Sequence, residues 1–290
     1  MNENLPYFAA LKAFASRARD RVGDLWSWFW YLLGVLYFVL PLYATLDFSL
    51  HMQRDTISLL AYQKAFADPG FLKTFVYSNI LAVITILVGL LLVVPTSYWI
   101  RLRLPEARRV VEYITTLAIV IPAIVMGFGL VAVYGAPIKI PFTSVQLTDS
   151  LLNSPVGTNF IIIMGYTVLA LPLMYRSIDT GMRTIDVRTL TEAAQSLGAS
   201  WTTIIVRIIL PNLRASILSG ALLTFAIVVG EVTISSIMNV PAFSPYLWLL
   251  GQHKAYEPAA LSFASFLLIW ASMGIIQIVT GGRAQAAGAH

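Results

Sequence analysis

Long apolar stretches free of Asp, Glu, Lys and Arg recur along the chain, at residues 25–46, 74–100, 113–138, 150–175, 215–230 and 258–282. Most reach the roughly 20 residues that an α-helix needs to cross a bilayer. Inside hydrocarbon the backbone must bond to itself, so such runs become helices. The pattern predicts an all-α, polytopic membrane protein with six transmembrane helices, at about 25–46, 75–100, 111–134, 157–176, 204–236 and 259–280. A seventh charge-free run, 232–253, contains Asn239, Pro241, Ser244, Pro245, Gln252 and His253 and is expected to be a helix end followed by a loop.

The polar intervals complete this outline. Residues 1–24 are expected to form a cytoplasmic surface helix, with Phe8, Leu11 and Phe14 opposite Lys12, Arg17 and Arg21. "WSWFWY" then places Trp26, Trp28 and Trp30 at the inner interface. The basic stretch before the first span invites comparison with a signal peptide. Its apolar run is too long for a signal core and no A-x-A-like site follows, so an uncleaved anchor is expected. Outer loops are expected at 47–73 and at 135–149, the latter punctuated by Pro137, Pro141 and Asp149, and a cytoplasmic tail at 283–290. Pro41, Pro95, Pro122 and Pro172 fall inside spans, where each removes a donor and tends to kink its helix. Pro122, followed by Gly127 and Gly129 in "IPAIVMGFG", suggests an irregular helix beside a pathway.

Composition agrees with a membrane protein: 58% of the 290 residues are hydrophobic and 11% charged, against about a quarter charged in soluble domains. A net charge of +5 would point to nucleic acid in a soluble protein. Here fourteen of the 19 Lys and Arg fall on the predicted inner segments and five on the outer ones, which the positive-inside rule explains. Both termini are therefore expected in the cytoplasm. The absence of cysteine excludes disulfides and thiolate chemistry. His51, His253 and His290 have no ligand spacing, so no metal site is expected in this chain. No phosphate loop, H-E-x-x-H pair or nucleophile elbow occurs, and the chain is not expected to be an enzyme.

The interval from Arg176 to Arg207 is the longest polar stretch between inner span ends. Thr184 can cap a helix whose apolar positions Val187, Leu190, Ala194 and Leu197 share one face. Gly198 can close it in the left-handed conformation, and Ser200 can cap the next helix, with Trp201 near the interface. Ala193 and Ala194 offer a small, flat shoulder on which another surface could rest. Pro211 enters the following span. These residues predict a hairpin of two short helices at the membrane surface, a feature that many polytopic proteins have.

The same residues match a signature. Glu192-Ala193-Ala194, Gly198, Ile208 and Leu210-Pro211 stand at the offsets of EAA-x3-G-x9-I-x-LP, and the chain thereby resembles permease subunits of binding-protein-dependent ABC importers. The segments "TIDVRTLTEAAQSLGAS" and "IPAIVMGFGLVAVY" resemble the spermidine/putrescine-type branch. The resemblance implies a type I importer permease fold in a bacterial inner membrane. It implies a coupling helix over 186–200, with Leu190, Glu192, Ala193, Ala194, Leu197, Gly198, Ala199 and Ser200 meeting a cytoplasmic ATPase dimer, and Ile208, Leu210 and Pro211 as structural motif positions. ATP and Mg would be bound by that ATPase and not by this chain. A second permease, as a hetero pair more readily than a homodimer, and an extracytoplasmic substrate-binding protein would complete the importer. The family's substrate-path spans would place Pro122, Met126, Phe128, Glu231 and Ser235 along the path. Glu231 either attracts an ammonium group or gates the outer mouth, or is a carboxylate hydrogen-bonded to Thr233 or Ser235. A polyamine-like or other small organic solute is the expected cargo. The alternatives are a stand-alone secondary transporter or channel, and a membrane-embedded enzyme. The duplicated halves and deep charges of the first are missing, as are the clustered catalytic groups of the second.

Overall fold

In a computed structural model, backbone is described for residues 6–53, 56–139, 146–148 and 150–287, and side chains for 26–53, 56–137, 150–271 and 274. Arg54, Pro141, Asp149 and the last three residues lie outside the described residues. So do the side chains of Phe8, Leu11, Lys12, Phe14, Arg17, Arg21 and Arg283.

The apolar runs are helical, and their interruptions follow local chemistry. Helix α1 (Pro6–Leu50) runs without a break from the N-terminal segment through the first apolar run. A short helix, α2 (Leu60–Ala67), sits in the interval between the first two apolar runs. Helix α3 (Pro69–Arg103) starts on an Asp68 cap, whose carboxylate accepts from Gly70 N–H at 2.8 Å, and its first residue is a proline, which fits the first turn. The third apolar run is not one straight helix. Helices α4 (Ala107–Val120) and α5 (Ala123–Tyr134) meet at 97° because Ile121, which precedes Pro122, is extended. A two-stranded antiparallel ribbon, β1 (Ile138–Lys139) and β2 (Gln146–Thr148), follows. Helix α6 (Pro155–Thr184) begins with Ser154 capping Gly157 N–H at 3.0 Å.

The fifth run also departs from the continuous span expected over 204–236. Helix α7 (Val187–Ser196) is followed by α8 (Trp201–Thr203), a π-helical turn (Ile204–Ile209) and α9 (Leu210–Asn212). The segment Trp201–Asn212 then bends by 79° into α10 (Arg214–Gly230). The bend falls two residues after Pro211, whose missing N–H weakens the preceding turn. Helix α10 stops at extended Glu231, and α11 (Thr233–Ile237) restarts at once. The run expected to be a loop instead forms α12 (Phe243–His253). Pro245 lies in its first turn, where no backbone donor is needed, and Phe243 N–H bonds Ser78 Oγ at 2.8 Å. Helix α13 (Tyr256–Ala287) closes the described chain.

Among the described residues, three helical stretches (Trp26–Leu50, α3 and α6) are long and apolar enough to cross a bilayer, and the two bent pairs bring the number to five. The apolar stretch Tyr256–Ala271 of α13 is shorter. Helices α3, α6 and α10 pack on one another and carry two buried clusters, one at each end. Phe71, Ile162, Tyr166, Ile234 and Phe243 belong to one; Val93, Tyr98, Met174, Ile178 and Leu213 belong to the other. Lipid is as apolar as leucine, so close fit does the work of association. At Gly181 a Cβ would sit 2.6 Å from Ser216 Cβ, which is how near α6 and α10 approach. Helix α1 is peripheral: its apolar window holds no buried residue, and it leans on α13, where Phe48 stacks on Tyr256 at 4.7 Å.

Candidate functional site

The hairpin is built from its caps inward. Asp186, and not Thr184, is the N-cap of α7: its carboxylate accepts from Thr189 N–H at 3.1 Å and from the Thr189 hydroxyl at 2.6 Å. Those bonds hold the Asp186 carboxyl below the usual carboxylate range. Thr184 ends α6, with its hydroxyl turned back to Gly181 C=O at 2.8 Å. At the other end Gly198 has φ +77°. Its N–H bonds Gln195 C=O at 2.9 Å and Ala199 N–H bonds Ala194 C=O at 3.0 Å, the paired closure of a Schellman end. Ser200 then caps the next helix through Thr203 N–H at 3.4 Å.

One face of α7 is buried and the other is free. Val187, Thr191 and Ala194 are buried and Leu190 is half-buried. Leu197 does not join that face: it is the C-cap residue and is 89% exposed, because the chain has already left helical geometry. Ala194 is also absent from the expected shoulder, since it packs inward, whereas Ala193 remains exposed. The outer edge therefore consists of Glu192, Ala193, Ser196, Leu197, Gly198 and Ser200, with Ala199 half-buried behind it. Glu192 Oε1 accepts from Arg188 Nε at 2.8 Å, one turn earlier on the same exposed face.

The root of the hairpin rests on α3. Thr191 donates to Val187 C=O at 2.7 Å, so Tyr98, fully buried, donates to Thr191 Oγ1 at 2.9 Å. Trp201 meets Tyr98 and Trp99 edge-on at 6.2 and 5.2 Å. The Arg103 guanidinium lies over both indoles, 5.4 Å from Trp99 and 5.6 Å from Trp201. Ile208 and Leu210 pack half-buried against the same cluster, and Pro211 opens the bend into α10. Beside this root, Asp179 of α6 gathers three arginines from three helices: Arg101 at 3.3 Å, Arg108 at 3.3 Å and Arg183 at 2.7 Å. Glu112 shares Arg108 at 2.9 Å. Sequence reasoning missed this cluster and Tyr98, Trp99 and Arg103. Only the basic run "RLRLPEARR" at the end of a span hinted at it.

Of the residues expected along a path, Pro122 and Phe128 are exposed, Met126 is half-buried, and Ser235 is fully buried. Glu231 is 9% exposed, with its carboxylate engaged internally. It accepts from the backbone N–H groups of Thr233, Ile234 and Ser235 at 2.6 to 3.1 Å and from the Tyr166 hydroxyl at 3.2 Å. Of the three roles open to it, these contacts are those of the carboxylate hydrogen-bonded at Thr233 and Ser235, and they leave no free acceptor aimed at an ammonium group.

Comparison with known proteins bears on the whole arrangement. The probable molybdenum ABC transporter permease protein of Haloferax volcanii is 32% identical over 154 residues, 53% of this chain and 54% of that protein. The putative ferric transport system permease protein FbpB 1 of Haemophilus influenzae is 28% identical over 174 residues, 59% of this chain and 24% of that protein. The match thus spans about half or less of these relatives' length. The molybdate/tungstate transport system permease protein WtpB of Pyrococcus abyssi aligns more fully, at 25% identity over 86% of this chain and 93% of its own. Among solved structures, a chain of a bacterial ABC transporter that imports alginate shares the fold, with a TM-score of 0.66 at 18% identity over 91% of this chain and 98% of that one. A family model covers residues 94–281, from the end of α3 through the hairpin and both broken helices into α13. With that match and the hairpin geometry together, the chain belongs to the family of binding-protein-dependent transport system inner membrane components.

Proposed function

We propose that this chain is a permease subunit of an ATP-driven importer and that the hairpin from Asp186 to Ser200 is the seat of a cytoplasmic ATPase. One observation carries the reading: a two-faced hairpin, rooted through Thr191 and Trp201 on α3, presents Glu192, Ala193, Ser196 and Leu197 outward. Leu197, an almost fully exposed apolar side chain on a sharp turn, suits a pocket on a soluble partner. Nucleotide and Mg are held by that partner, and both termini of this chain face the same compartment. A second permease, similar to this one, forms the other wall of the path, and a binding protein on the opposite side delivers the solute. ATP-driven closure of the ATPase moves the hairpin as a rigid handle and rocks the paired permeases between outward-open and inward-open states.

The cargo that fits best is a small oxyanion of the molybdate or tungstate kind. Among the described residues, three acids at span depth or span ends are already engaged: Glu231 by backbone donors, Asp179 and Glu112 by arginines. A polyamine would want free carboxylates, and it was expected from Glu231 together with the resemblance of two segments to the spermidine/putrescine-type branch. The permease relatives above are named for molybdate, tungstate or ferric transport, none for polyamines. The test is uptake by the complete importer in proteoliposomes with molybdate, tungstate, ferric complex and spermidine compared. ATP-dependent molybdate uptake, abolished by Leu197→Arg while membrane insertion persists, is the expected result. Uptake of spermidine alone rejects the oxyanion, and ATP-independent uptake by the isolated chain rejects the importer.

A further inference from the structure

At the junction of α10 and α11 the chain leaves helical geometry, and the donors released there converge on one carboxylate. Glu231 Oε1 accepts from Thr233 N–H at 2.6 Å and Ile234 N–H at 2.8 Å; Oε2 accepts from Ile234 N–H at 3.0 Å, Ser235 N–H at 3.1 Å and Tyr166 Oη at 3.2 Å. Every partner is a donor, so the group behaves as an acceptor only. Ser235 Oγ donates to the Glu231 carbonyl at 3.0 Å, and Ser244 Oγ to Val229 C=O at 2.6 Å, so the carbonyl side of the break is tied as well. An acid at membrane depth is costly unless fully partnered. Here the partners are the first N–H groups of α11, which would otherwise be orphans.

Helix α11, so held, lies against α5. At Gly127 a Cβ would come within 3.5 Å of both Ile234 Cα and Ile237 Cβ, so the two elements touch along their backbones. Helix α5 itself starts at the other break, Ile121–Pro122. Both breaks are open to the surroundings: Pro122, Gly230, Ser236 and Asn239 are all exposed. Non-helical backbone at membrane depth persists only where protein covers it or water fills a cavity beside it. The joined breaks therefore belong to a face that lipid does not occupy.

We propose that Glu231 is a positioning residue for solute passage, pinning α11 between α5 and α6 and thereby setting the aperture edged by Ser236 and Asn239, without touching the solute itself. The proposal rests on the permease reading above. It replaces an electrostatic role for the acid by a mechanical one.

The natural chain has no cysteine, which makes a clean test available. The pair Gly127→Cys and Ile237→Cys has the Cβ separation that a disulfide needs. In the complete importer, Glu231→Gln places an amide donor against backbone donors. It is expected to lower disulfide yield at least threefold and maximal molybdate uptake at least tenfold. The half-saturating concentration of molybdate-loaded binding protein is expected to stay within twofold. Tyr166→Phe, which removes one donor and keeps the ring, should shift both readouts in the same direction by less. Glu231→Asp, which keeps the charge, should recover part of the disulfide yield. A changed molybdate-over-sulfate preference with unchanged disulfide yield would mean that the carboxylate meets the solute, and would overturn the proposal. So would no change in either readout. If Glu231→Gln does not insert, Tyr166→Phe decides alone, and wild-type values from it reject the pin. If the wild-type importer takes up no molybdate, the cargo reading fails, while the disulfide comparison still decides whether Glu231 places α11.

Discussion

At two glycines the missing side chain answers to different physics, and substitution separates them. Around Gly198 a Cβ would meet nothing within 4 Å, but φ is +77°, so the cost of Gly198→Ala is conformational, about 1–2 kcal/mol. At Gly181 the backbone is ordinary helix and the space is filled by Ser216 and Leu213, so Gly181→Ala overpacks the crossing of α6 and α10, by about 1–3 kcal/mol. Gly220, on α10, has its nearest neighbour 3.4 Å from the added atom, and Gly220→Ala should leave the thermal midpoint of the detergent-solubilised chain nearly unchanged. The expected order is that Gly181→Ala lowers that midpoint, whereas Gly198→Ala mainly speeds amide exchange in 187–200. Asp186 adds a pH dependence. Its carboxyl is held below its usual value of about 3.9 by the Thr189 hydroxyl and N–H. The sign follows: the cap's contribution is complete above the unfolded value and is lost as pH falls through the lower folded one. Exchange protection of α7 should therefore decline below about pH 4 in the natural chain, and in Asp186→Asn it should be weaker above that pH and show no such decline.

Among elements, the hairpin and the ion cluster show what local pattern can and cannot reveal. Gly198 and Ser200 carried legible signals, since a left-handed turn and an N-cap depend on neighbours within four residues. Thr184 and Asp186 were both plausible caps two residues apart, and only the end of α6 decides between them. Leu197 kept the helical spacing of the buried face, but spacing stops having meaning once the helix ends at Ser196. Over 232–253, expected to be a helix end followed by a loop, the second half failed for a related reason: prolines read as breakers are harmless in a first turn, where Pro245 sits. Asp179 was illegible altogether, because Arg101 and Arg108 lie 78 and 71 positions away in the chain. That cluster fastens α4 to α3 and α6. Asp179 is 7% exposed, so Asp179→Asn strands positive charge around a buried site and should cost about 2–3 kcal/mol. Glu112, whose side chain is 43% exposed, pairs in a more solvated place, and Glu112→Gln should cost under about 1 kcal/mol. Amide exchange in α4 is the measurement, with Asp179→Asn loosening residues 107–114 and Glu112→Gln leaving them close to natural protection.

For the molecule as a whole, the broken helices define which surface can face lipid. Unbroken helices such as α3 satisfy nearly all of their own backbone and tolerate hydrocarbon on an outward face. The turn at Ile121–Pro122 does not and is exposed in the single chain, as is Gly230 at the second break, where Glu231 takes up the freed donors, and α5 and α11 pack on one another. A surface with unsatisfied backbone must be covered by a partner or wetted, and a path between two permeases does both. Phe128, 61% exposed on α5, and Ser236 on α11 would then border water, while Leu87, 60% exposed on the outer side of α3, borders lipid. Single cysteines at these positions in the naturally cysteine-free chain distinguish the two environments, because a maleimide reacts with thiolate and thiolate forms in water. In the assembled importer, Ser236→Cys should react with a membrane-impermeant maleimide at least ten times faster than Leu87→Cys, and trapping the ATPase in its closed state should change the first rate and not the second. Equal rates at both positions, unaffected by the ATPase, would place the broken helices against lipid and remove the physical basis for a path along them.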